Sequence, residues 1–149
     1  MVRKIIVSLL LLLSSAGAGQ AQIAHTAVQA ATSPRDVIKF YVEVARLAVM
    51  GFEVAQQSAF ETGNISGAEH DAASADKNLI EWYPKAVAAA KTLGVLPQLK
   101  AVRASELAIW ADGKPEAGEM RFVWEARMRQ LKSKHEAAIA DLEVELQTK

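Results

Sequence analysis

The 149 residues carry 17 basic and 17 acidic side chains and no cysteine, a length that suits one domain around one hydrophobic core. Without cysteine there is no disulfide scaffold, no thiolate nucleophile or metal site and no c-type haem attachment. The even charge balance leaves no electrostatic footprint for nucleic acid, which is therefore not expected as a partner.

Residues 1–21 read as a secretory signal peptide. Arg3 and Lys4 precede an apolar run from Ile5 to Leu13 broken only by Ser8, and a small-residue tract follows; the run is too short to span a membrane. Gly19-Gln20-Ala21 is the preferred cleavage site, with Ala16-Gly17-Ala18 as the alternative. Cleavage there removes Arg3 and Lys4 and leaves two more acidic than basic groups. The expected destination is the periplasm, with secretion as the alternative, and no integral membrane segment is expected after cleavage. Residues 22–32 are small and polar without a sustained period and read as a flexible lead-in. The folded domain is expected over residues 33–149.

Ser33-Pro34-Arg35-Asp36 combines an N-cap serine, a proline at the first helical position and an acid that complements the helix dipole. Polar residues then recur at Asp36, Lys39, Glu43, Arg46, Glu53, Gln57 and Glu61. Opposite them lie Ile38, Val42, Ala45, Val49, Phe52 and Ala59, with Val44 and Leu47 widening that side, so a first helix is predicted to about Thr62, with Gly63 as its left-handed cap. Ser66-Gly67-Ala68-Glu69 reads as a capping box that starts a second helix. Its apolar side gathers Ala72, Leu79, Ile80, Tyr83, Val87, Ala90 and Leu93. Pro84 lacks an N–H and crowds the carbonyl four residues back, so a kink or break is expected there. A third, short helix is predicted from Pro97 to Gly113, and a fourth from Pro115 close to the C-terminus. The fourth carries the stripe Met120, Trp124, Met128, Leu131, His135, Ala138, Leu142 and Leu146. No alternating strand pattern occurs. The connections are short, which makes consecutive helices neighbours. The expected fold is all-α, an up-and-down bundle of about four helices with the second kinked or broken at Pro84.

Among residues that could carry chemistry, His135 lies on the apolar stripe of the last helix, where its ring nitrogens need partners. A b-type haem or a transition metal would supply one, as would a hydrogen bond across the bundle. Met50, Met120 and Met128 are the only sulfur ligands within the helices, and Met50 falls on the solvated side of its helix. The Glu-x-x-His spacing of a di-iron bundle is absent, with Gly67 three before His70 and Lys132 three before His135. His25 would complete a square-planar copper chelate only if trimming left it third in the chain, which cleavage after Ala21 does not. Glu106, spaced with Lys100 and Arg103, reads as the solvated edge of the third helix. No nucleophile elbow or phosphate loop is present, so an enzyme is not expected. Two features suit a partner surface. Trp82 and Tyr83 are adjacent and cannot both point inward, and Arg127, Arg129, Lys132 and Lys134 form a basic stretch ahead of an acidic one at Glu136, Asp141, Glu143 and Glu145. The expected function is macromolecular binding to a protein or cell-envelope partner, as an accessory, adaptor, inhibitor or chaperone-like factor, without a cofactor. The alternative is a small carrier of haem or a transition metal bound through His135.

Overall fold

The computed structural model describes residues 33–63 and 65–149, with the backbone alone at 65–69, 71, 72 and 75. Four helices follow one another: α1 Pro34–Thr62, α2 Ile65–Leu93, α3 Leu96–Asp112 and α4 Arg121–Gln147. No strand occurs among the described residues. The signal-peptide segment, the lead-in at 22–32 and His25 lie outside the described residues.

The N-terminus of α1 is capped as its sequence predicts. The Asp36 N–H donates to Ser33 Oγ at 3.2 Å, with Pro34 in the first turn. At the other end Gly63 takes φ 70° and its N–H donates to the Ala59 carbonyl, a backbone state that costs glycine least. Ile38, Val42, Ala45, Val49, Phe52 and Ala59 on the inner side of α1 are buried and Tyr41, Ala48, Ala55 and Gln56 join them, whereas Val44 and Leu47 at its margin are half-buried.

α2 runs unbroken through Pro84. The proline is exposed, whereas Leu79, Trp82, Ala86, Ala89 and Ala90 are buried on either side of it. Packing against α1 thus holds both halves in one helix despite the missing N–H. The helix starts at Ile65, just before the predicted capping box, whose side chains are outside the described set. Ile80 is not on the inner side as the sequence reading placed it: it is 57% exposed. Leu79, 100° away around the helix, takes the core position instead.

α3 starts where expected, with Pro97 in its first turn, and buries Leu99, Val102, Glu106 and Ile109. α4 begins at Arg121 rather than at Pro115, so the last connection spans residues 113–120. Three interactions make that stretch a structured loop. Gly118 adopts φ 77°, which interrupts a helix. The Glu119 carboxylate accepts from the Glu116 N–H at 3.0 Å, and Trp124 Nε1–H donates to the Gly113 carbonyl at 2.7 Å. Met120 is the N-cap residue and is exposed, not part of the buried stripe.

α1 and α2 form the most closely packed pair, and α3 with α4 the next. Alanines at 45, 48, 86, 89 and 90 lie in the main core cluster with Ile38, Tyr41, Trp82, Leu99, Val102, Ile139 and Leu142. A second cluster of Val49, Phe52, Ile109, Trp124 and Met128 fills the end beneath the 113–120 loop.

Candidate functional site

Glu106 is not the solvated edge of α3. It is fully buried, and the Tyr41 hydroxyl of α1 lies 3.0 and 2.8 Å from its two carboxylate oxygens. Arg103, one turn earlier, donates to the same carboxylate at 3.1 Å and reaches Asp76 of α2 at 3.2 Å. Burial pushes the Glu106 carboxyl above the usual carboxylate range, opposed by the hydrogen bonds from Tyr41 and Arg103. Burial and the adjacent carboxylate push the Tyr41 hydroxyl strongly up as well. A carboxylate held this way joins α3 to α1 directly and, through Arg103, to Asp76 of α2. The helical spacing of Glu106 with Lys100 and Arg103 hid it. The available signal was Tyr41 on the inner side of α1, a buried hydroxyl that needs an acceptor.

His135 sits between α4 and α3 and is 1% exposed. Its Nδ1 lies 2.9 Å from Ser105 Oγ, and the Ser105 hydroxyl donates to the Val102 carbonyl at 2.6 Å. With that hydroxyl proton committed, Nδ1–H is the donor and Nε2 keeps its lone pair. Nε2 is buried and has no hydrogen-bond partner. Burial holds the imidazole below its ordinary pKa, so the neutral ring is favoured. No second ligand faces it from the positions named for haem. Met50 and Met120 are exposed, and Met128 is buried two turns earlier on α4 itself. Among the described residues no three His, Asp or Glu side chains gather around a possible ion site, and His70 is exposed.

The six residues read as partner contacts separate in space. Trp82 of α2 is buried against α1, edge-on to Phe40 at 5.3 Å between ring centroids, with Lys85 Nζ 3.5 Å above its ring. It is a core residue and not a surface anchor. Tyr83 is half-buried, tilted against Tyr41 at 5.8 Å. Arg127 is drawn into the 113–120 loop by the Asp112 and Lys114 carbonyls and by Glu119. Lys132 pairs with Glu53 of α1 at 2.6 Å. Arg129 and Lys134 alone remain exposed with no ion-pair partner among the described residues. The basic stretch is thus divided between two structural contacts and two free cations.

The surface that sequence reading missed is the outward side of α4. Val123, Gln130, Ala137 and Val144, spaced by seven, and Ala126, Ser133, Ala140 and Gln147, spaced likewise, are all exposed. Phe122 and Val144 expose 63% and 60% of their surface. This second stripe was legible as a repeat of seven, but the stronger inner stripe of Trp124, Met128, Leu142 and Leu146 masks it. In comparisons with known proteins the chain matches no family model, no curated protein and no solved structure. No helix among the described residues is long and apolar enough to cross a membrane.

Proposed function

We propose that the protein is an exported, non-catalytic helical module, periplasmic in destination, that acts by binding another macromolecule through the outward side of α4. The observation that carries this reading is the exposure of Phe122, Val123 and Val144 on a helix whose other side already fills the core. Export rests on the charged, apolar and small-residue pattern of residues 1–21. The non-catalytic reading rests on how the buried polar groups are committed. The Glu106 carboxylate is held by the Tyr41 hydroxyl and by Arg103, and the Ser105 proton is given to Val102. The test is the native mass of the protein in envelope extracts. Ala137→Glu places a charge in the middle of the face and should lower that mass to the monomer without changing helix content. A wild-type protein that already migrates as a monomer there overturns the proposal.

One observation favours a second reading, a carrier of haem or a transition metal. Ser105 fixes His135 as the tautomer with a free Nε2, the arrangement in which a second group orients a metal-binding imidazole. An absorption spectrum and elemental analysis of the natively purified protein decide it. A Soret band or stoichiometric metal lost in His135→Ala supports the carrier, and a colourless, metal-free protein removes it.

A further inference from the structure

We draw no further inference here: the strongest candidate, the cleft between α3 and α4 lined by Gln98, Asp141, Val144 and Glu145, is an acidic pair beside a half-buried glutamine, and no second observation in the structure points to a ligand there.

Discussion

Burying a carboxylate and an imidazole commits each to particular partners, and the cost of removing those partners can be stated. Tyr41→Phe keeps the ring but leaves the Glu106 oxygens with Arg103 alone. It should destabilise the protein by about 1–3 kcal/mol, read from urea unfolding at neutral pH. The two buried titrating groups tilt the pH dependence in opposite directions. His135 has a folded pKa below the unfolded value of about 6.5. Its contribution is therefore complete above that pH and is lost as pH falls below it, because only the unfolded chain accepts the proton. Glu106 has a folded pKa above the unfolded one, so its contribution is largest at low pH and declines as pH rises through the folded value. Accordingly, His135→Gln should flatten the loss of stability between about pH 7 and 5, and Glu106→Gln should steepen it. Unfolding midpoints across that range check both, and an unchanged slope in His135→Gln would refute the histidine assignment. Of these two residues, His135 was legible as buried because it lies between Leu131 and Ala138 on the apolar stripe of its helix. Glu106 was not, because lysine and arginine at helical spacing look like a solvated face whichever way Arg103 turns.

At the scale of elements, Pro84 and the 113–120 loop make the sharpest statements. Pro84 is exposed within a continuous helix, and its ring displaces a backbone hydrogen bond without filling any core position. Pro84→Ala should therefore raise stability by about 1–3 kcal/mol, seen as a higher unfolding midpoint. Gly113 reports the opposite kind of constraint. A Cβ there would press on the Ile109 carbonyl and come within 2.8 Å of Met128 Sδ and 2.9 Å of Phe52 Cε1. Gly113→Ala should cost about 1–3 kcal/mol by overpacking, whereas Gly118→Ala should act through its left-handed backbone, since nothing crowds that position. The predicted start of the last helix at Pro115 failed for a related reason. Proline followed by two glutamates is an ordinary helix opening, and the left-handed Gly118 together with the tertiary bonds from Trp124 to Gly113 and from Arg127 to Asp112 and Lys114 turns it into a loop.

For the whole molecule, four helices and their order were legible because each boundary carries its own chemistry: Ser33 and Pro34, Gly63, Gly94 and Pro97, and Gly113. Their pairing was less so, since alanine spacing alone does not say which faces approach. The outer side of α4 was missed because apolar residues on both sides of a helix blur its period.

Neighbouring positions 105 and 106 tie α3 to two different helices, Ser105 to His135 of α4 and Glu106 to Tyr41 of α1. The apolar contacts of Leu99, Val102 and Ile109 are non-directional, so they fix the position of α3 less sharply than a hydrogen bond does. Two polar bonds 100° apart around the helix cannot both survive a shift of α3 by a turn or its rotation by a fraction of one. The pair therefore acts as a detent. It gives the apolar packing a single register, and it makes loosening of α3 an all-or-none event felt by α1 and α4 together.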